Sequence, residues 1–179
     1  MLRDFSTSGL DRLMRFDHLA CENGKRARRH GRNRLGYAFV DLTITVASVV
    51  TDANPKFAYG FAGETILQGQ SVYLAASGLW MKAQCDGTAI QAGSGGEGNF
   101  GIATNAALVN QTIAVQYRGK LTAGATLTVG VQYCISDTFG GICPQSAVPS
   151  GSLITVLGIA STAALLDMTY AKYTGLTVP

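Results

Sequence analysis

The residues that most often carry catalysis are scarce in this chain and are poorly placed for it. Both histidines, His18 and His30, lie in the first 36 of the 179 residues. The rest of the chain therefore lacks the imidazole that a Ser-His-Asp or Cys-His arrangement needs. The acids after residue 36 are scattered and form no Asp-x-Asp-x-Asp-Gly loop of the kind that binds calcium. We expect no enzyme activity, no metal site and no cofactor.

Residues 93–98, Gly-Ser-Gly-Gly-Glu-Gly, formally match the Gly-x-Gly-x-x-Gly pattern of dinucleotide-binding proteins. That motif works when a helix N-terminus follows it and holds the pyrophosphate. Here Asn99-Phe100-Gly101 leads directly into a predicted strand, and no helical pattern follows. We interpret residues 93–98 as a tight surface loop.

The clearest candidate binding site is a basic run at residues 25–34. Its arginines are Arg26, Arg28, Arg29, Arg32 and Arg34. Arginine neutralises phosphates, and it also forms bidentate pairs with carboxylates. No aromatic side chain is interleaved for base stacking, so nucleic acid is an unlikely partner. We favour docking onto an acidic protein surface, while nucleic-acid binding and a solvated tail stay open as alternatives.

Charge divides the chain into an arm and a body. Residues 1–36 carry nine basic and four acidic side chains, a net charge of +5, whereas residues 37–179 carry five basic and seven acidic ones, a net charge of −2. Only 14% of the residues are charged, against about 25% in an average domain. The boundary predicts an N-terminal basic arm at 1–36 and a separate folded domain at 37–179.

The sequence shows neither a secretory signal nor a membrane-spanning segment. No apolar core segment follows Met1, so we expect synthesis in a cytoplasm and no secretory signal. The weakly charged stretch at 37–50 is too short to span a membrane, which takes about 20 residues. Cys134 and Cys143 flank a Gly-Gly pair that could form a hairpin, but in a reducing compartment we expect free thiols and no disulfide.

The pattern of the body predicts an all-β domain. Short β-branched runs are bounded by glycine, asparagine or aspartate, as in a sandwich or barrel. The predicted strands lie within 37–51 and at 65–67, 71–74, 112–117, 126–129, 132–135 and 153–157. A possible helix at 161–168 is better interpreted as a turn before the last strand. In the arm, residues 8–23 predict one short helix, capped by Ser8 and Asp11.

The body also matches itself. Residues 101–108 (Gly-Ile-Ala-Thr-Asn-Ala-Ala-Leu) correspond to 158–165, and residues 69–74 correspond to 130–135. These matches predict two similar β-units, at about 65–119 and 126–175, that form a barrel or a sandwich. We expect the two units to share one strand path. We also expect Tyr73 and Tyr133 to be equivalent, with buried rings and bonded hydroxyls.

The second unit resembles a pattern found in structural proteins of tailed bacteriophages. The pattern is carried by residues 133–144 (Tyr-Cys-Ile-Ser-Asp-Thr-Phe-Gly-Gly-Ile-Cys-Pro) and 150–160 (Ser-Gly-Ser-Leu-Ile-Thr-Val-Leu-Gly-Ile-Ala). It is similar to units of capsid decoration (cement) proteins and of some head or tail fibre modules. The resemblance covers about residues 60–175, and the arm has no counterpart in it.

The resemblance implies a structural role without a substrate. A cement protein sits on the outside of the virion, commonly as a homotrimer at threefold or quasi-threefold positions, and bridges subunits of the major capsid protein. We expect the arm, with its five arginines, to anchor the body to the shell. The alternative that the resemblance leaves open is a head or tail fibre or adhesion module that binds a host surface.

Overall fold

The computed structural model describes residues 40–179. The helix predicted at 8–23 and the five arginines of the basic run lie outside these residues. The described part is nearly all-β, which confirms the predicted fold class. Its strands are β1 (Val49–Thr51), β2 (Lys56–Ala62), β3 (Ser71–Leu74), β4 (Leu79–Lys82), β5 (Phe100–Ala103), β6 (Thr112–Arg118), β7 (Lys120–Ala123), β8 (Gln132–Ile135), β9 (Ile142–Pro144), β10 (Leu153–Ala160), β11 (Leu165–Asp167) and β12 (Lys172–Thr177).

The first sheet is a closed barrel of five strands in the order β2-β4-β3-β5-β6. All its pairs are antiparallel except β2 with β4, which run parallel where the barrel closes. Its interior holds one hydrophobic cluster, which includes Ile66, Val72, Trp80, Ile113 and Val115. Closure leaves no free edge among these strands and fills the interior with side chains.

The second sheet has seven strands, in the order β1-β7-β11-β10-β8-β9, with β12 also paired to β10. A larger hydrophobic cluster packs against it and reaches the outer face of the barrel, where Tyr73 and Phe100 take part. The two sheets therefore share one core. The chain also passes twice from one sheet to the other, through residues 52–55 between β1 and β2 and through Gly119 between β6 and β7.

Corresponding hydrogen bonds recur in the two β-units. Gly69 N donates to Ala103 O at 2.8 Å, and Gly130 N donates to Ala160 O at 2.8 Å. The strand order β4-β3-β5-β6 recurs as β9-β8-β10, with β11 and β12 together in the place of β6. The shared path follows from the repeat in the sequence, since each unit has a turn glycine with positive φ before its first strand.

The predicted equivalence of Tyr73 and Tyr133 is wrong by one residue. Val72 pairs with Gly101 in the first unit, whereas Tyr133 pairs with Gly158 in the second. Tyr133 therefore corresponds to Val72, at the same spacing of 61 that relates Gly69 to Gly130. Both tyrosine rings are nevertheless buried. Because a shift of one residue reverses the face of a strand, the two rings stand at different positions of the sheet.

Several predicted strands also differ from the structure. Of the stretch 37–51, only Val49–Thr51 forms a strand among the described residues, because Val46–Ser48 turns into a 3-10 helix. The stretch 126–129 is a loop, fastened to the core by buried Leu127. Part of 161–168 is strand β11. In the first two cases β-branched composition predicted a strand where the tertiary structure needs a bend, whereas 161–168 was predicted as a turn and contains a short strand.

The second unit is closed by residues 41–51, which we name the closing segment. In the first unit, Gly63 N, just after β2, donates to Trp80 O at 2.9 Å and continues the closure of the barrel. In the second unit, the corresponding carbonyl of Ile142 accepts a hydrogen bond from Leu42 N at 2.7 Å. We name the gap between β7 and β9 that the closing segment fills the seam.

Candidate functional site

The arginines predicted to bind a partner lie outside the described residues, so the candidate site is built from the body alone. Within residues 40–179, no group of three or more His, Cys, Asp or Glu side chains has a geometry that could hold a metal ion. In the same part of the chain, no helix is long and apolar enough to cross a membrane.

The cysteines of the body gather in the core. Cys85, Cys134 and Cys143 are buried free thiols, and Cys134 lies directly opposite Cys143 in the β8–β9 ladder. Burial raises the pKa of Cys85 and of Cys134 to about 12, and raises the pKa of Cys143 further. Since the thiolate is the nucleophile and metal ligand, these protonated side chains pack the core and are poor candidates for chemistry.

The outer face of β2 carries three aromatic side chains in a row. Phe57, Tyr59 and Phe61 alternate with inward-facing residues, and we name them the aromatic stripe. The side chain of Tyr59 is 70% exposed and that of Phe61 is 56% exposed. The rings of Phe57 and Tyr59 contact each other with their centroids 6.0 Å apart. Such a row of exposed rings on a rigid strand is typical of a partner-binding surface.

The neighbours of β2 keep the aromatic stripe exposed. Tyr59 lies opposite Ala114 on β6, and Phe61 lies opposite Thr112. Both neighbours are too small to cover an aromatic ring. On the inner side of β2, a β-carbon on Gly60 would stand 2.8 Å from Trp80 Nε1, so the buried indole fills that face. The strand is therefore held from inside while its rings stay free outside.

Further apolar side chains lie beside the end of β2. Leu108 and Val109 are more than half exposed and sit in the loop that leads to β6. Asn110 N donates to Ala62 O at 2.7 Å and ties this loop to the end of the strand. The apolar surface of the barrel thus extends past Phe61.

A groove of about 490 Å³ lies at the junction of the two sheets. Its walls come from the loop at 93–98, the end of β6 and the turn between β11 and β12. Arg118 makes a two-pronged contact with Glu97, with Nε–Oε1 and Nη2–Oε2 distances of 2.6 and 2.7 Å. Lys172 and the exposed ring of Tyr170 complete the lining. The groove therefore combines aromatic faces with charged hydrogen-bonding groups.

The turn that carries Tyr170 is held by one carboxylate. Asp167 Oδ1 accepts hydrogen bonds from Thr169 N at 3.0 Å and from Thr169 Oγ1 at 2.5 Å. The hydroxyl bond, with help from the backbone bond and nearby Lys120, lowers the pKa of Asp167. The turn is thus fixed without covering the Tyr170 ring.

Sequence reasoning missed the aromatic stripe, although a signal was present. Residues 56–62 (Lys-Phe-Ala-Tyr-Gly-Phe-Ala) alternate aromatic with small residues, the period of a strand with two different faces. The loop at 93–98 was interpreted correctly as a surface turn, and several of its glycines have positive φ. The groove beside it depends on segments about 75 residues apart and has no local signal.

Comparison with protein-family models, with curated proteins and with solved structures found no significant match for this chain.

Proposed function

We propose that this chain is a non-enzymatic structural protein of a bacteriophage virion. It binds the outside of the capsid and stabilises the shell by bridging subunits of the major capsid protein. The observation that carries this proposal is the aromatic stripe, an apolar surface on a rigid barrel strand. The resemblance of residues 60–175 to decoration proteins supplies the partner.

The energetics of the stripe suit a tight protein contact. A buried aromatic side chain removes roughly 150–250 Å² from water, at about 25 cal/mol per Å². Aromatic residues are also enriched among the side chains that dominate interface energies. Tyr59 and Phe61 are already exposed and held in place by β2, so docking costs them little additional ordering. The low charge of the body favours burial of such a surface.

The basic arm adds a second attachment. An exposed ion pair contributes only about 0–1 kcal/mol, so no single arginine of the run at 25–34 would anchor the body. Five arginines on one tether act together and raise the effective concentration of the body at its docking site. In this proposal the arm holds the chain to acidic capsid surface while the stripe makes the apolar contact.

Bridging requires several copies at a junction of capsid subunits. A homotrimer at threefold or quasi-threefold positions would place three stripes and three arms on neighbouring subunits. Such a chain is made in the host cytoplasm and ends on the virion surface.

The direct test is decoration of empty shells assembled from the cognate major capsid protein. The full chain and a chain lacking residues 1–34 are mixed with shells, and occupancy is measured by sedimentation and electron microscopy. We expect near-complete decoration by the full chain and weaker decoration by the truncated one, with occupancy falling as salt rises. Full occupancy by the truncated chain at every salt concentration would refute anchoring by the arm. Binding of duplex DNA without any binding to shells would refute the decoration role.

The groove favours a second candidate function, a fibre or adhesion module that binds a host surface. Tyr170 offers an exposed ring next to the Arg118–Glu97 pair, a combination that suits stacking and hydrogen bonding to a polar ligand. Copy number separates the two candidates in purified virions. A number comparable to that of the major capsid protein supports decoration, and a number many times smaller supports a fibre.

A further inference from the structure

Strand β4 of the first unit and the corresponding strand β9 of the second are covered by different segments of the chain. In the first unit the closing strand is β2, which belongs to the barrel itself. In the second unit the seam is filled by the closing segment, which comes from the N-terminal side of the whole body. The seam is therefore a strand-binding site, and its occupant joins the barrel through the link at residues 52–55.

The seam is shaped to receive this segment. A β-carbon on Gly69 would lie 2.7 Å from Ile44 Cγ2, and one on Gly124 would lie 2.6 Å from Thr45 O. Both glycines thus leave room for the closing segment. Side chains of the body also reach it, because Gln68 Nε2 donates to Val49 O at 2.7 Å. These features specify the segment, whichever copy of the chain supplies it.

The closing segment is nevertheless held by few backbone bonds. Leu42 N donates to Ile142 O and Thr45 N to Gly124 O, each at 2.7 Å, and Ser136 Oγ donates to Asp41 Oδ1. The regular ladder with β7 covers only the three residues of β1. Gaps of about 260 and 320 Å³ lie on its two sides. Most of its side chains are exposed or half-buried. An element with a specific seat and limited backbone pairing can leave and return without unfolding the barrel.

The link from the closing segment to β2 stores a preference for a different conformation. Asn54 has a φ of 53°, in the left-handed region that asparagine tolerates better than other non-glycine residues, whereas Pro55 after it favours an extended conformation at this position. A short, strained link favours domain swapping, because the strain is relieved when the link becomes extended. With an extended link, the element reaches and binds the seam of another molecule. Exchange of identical elements is a low-cost route to an oligomer, since the same contacts form in both arrangements.

We propose that residues 41–51 exchange between copies of this chain, so that in the oligomer the seam of one copy is closed by the closing segment of a second copy. The partner of this surface is another molecule of the same protein. The inference goes beyond the proposed function and does not rest on it, because a chain that exchanges its segment without ever binding a shell would leave it standing.

The test is a cross-link between two chains that each carry one introduced cysteine. Val50 lies opposite Thr122 in the β1–β7 ladder, and neither side chain is buried. Directly opposite residues have β-carbons about 4.5–5.5 Å apart, within reach of a disulfide after small adjustment or of a short bismaleimide. Val50→Cys and Thr122→Cys are placed in separate, differently tagged chains, which are co-expressed. In both chains Cys21, the fourth cysteine of the sequence, is replaced by serine, while Cys85, Cys134 and Cys143 stay as buried thiols.

We expect a covalent heterodimer in which peptide mapping joins position 50 of one chain to position 122 of the other. The double variant Val50→Cys/Thr122→Cys reports whether the segment reaches the seam at all. Internal linkage in the double variant without any heterodimer in the mixture would overturn the exchange. A folded double variant that forms neither link would overturn it as well, because the segment would then not occupy the seam.

The strained link provides a matched pair of controls. Asn54→Gly relieves the left-handed strain and should lower the yield of heterodimer severalfold. Asn110→Gly removes the other non-glycine residue with positive φ in the described chain, at a φ of 63° far from the link, and should leave the yield unchanged. Equal effects of the two substitutions would contradict a role for strain at Asn54.

Discussion

The carbonyl groups of Trp80 and Ile142 occupy corresponding positions in the two β-units but accept hydrogen bonds from different parts of the chain. Trp80 O receives Gly63 N, next to its own barrel strand, whereas Ile142 O receives Leu42 N from the closing segment. Residues 41–51 thus link the two edge strands of the second sheet, β1 and β9, from the N-terminal side. This relationship predicts where the chain tolerates truncation.

Removal of residues 1–34 should leave the stability of the body nearly unchanged, whereas removal of residues 1–51 should lower it by at least about 3 kcal/mol. The larger deletion exposes the seam and removes the buried side chain of Val49 together with Leu42 and Ile44, each worth roughly 1.5–3 kcal/mol when fully buried. Urea unfolding followed by far-UV circular dichroism measures both. Equal stability of the two truncated chains would show that the closing segment is not part of the core.

Gly69→Ala should destabilise the protein more than Gly130→Ala. Both glycines have positive φ, at 89° and 81°, so both substitutions carry a similar left-handed cost of about 1–2 kcal/mol. Only at Gly69 would the new β-carbon collide with Ile44, since Gly130 has nothing within 4 Å. We expect an additional loss of about 1–3 kcal/mol at Gly69 in thermal or urea unfolding. Identical losses would argue that the seam adjusts freely.

Tyr59→Ala and Tyr170→Ala should separate the two proposed functions. Both rings are more than two-thirds exposed, so neither substitution should change the unfolding free energy appreciably. If the chain decorates capsids through the aromatic stripe, Tyr59→Ala should weaken shell binding about tenfold or more while Tyr170→Ala does not. The opposite pattern in binding to host cells would favour the adhesion module. Binding is measured by titration of shells or cells with labelled protein.

Alkaline pH should destabilise the body through its buried thiols. The pKa of Cys85 and that of Cys134 rise to about 12 in the folded protein, so the folded state keeps protons that the unfolded state releases above pH 9. Stability is therefore complete below pH 9 and declines as the pH rises towards 12. The loss at pH 10 is at most about 1.4 kcal/mol for each thiol. Urea unfolding at pH 8, 9 and 10 should show a steeper decline than in a Cys85→Ala/Cys134→Ala variant. If the unfolding free energies of the two proteins declined equally with pH, other titratable groups would be responsible.

The all-β class and the repeat were accessible from sequence because both rest on local patterns. Residues 71–74 and 132–135 are short, mostly apolar runs bounded by turn residues, and they form the predicted strands β3 and β8. The repeated Gly-Ile-Ala segments likewise mark β5 and β10. Local periodicity and turn chemistry act over a few residues, so they can be recognised without knowledge of the fold.

Register and closure, in contrast, were decided only by the tertiary structure. The pairing of Tyr133 with Gly158 depends on an irregularity in β10 between Val156 and Gly158, which shifts the ladder by one residue. The closing of the second unit by residues 41–51, and the exposure of Tyr59 beside Ala114, depend on segments dozens of residues apart. The sequence determined the all-β class, the internal repeat and some of the strands, such as β3 and β8. Packing decided which strands pair. Burial stabilises an apolar side chain against any apolar neighbour, so the particular neighbours are selected by the fit of side-chain shapes across the whole core.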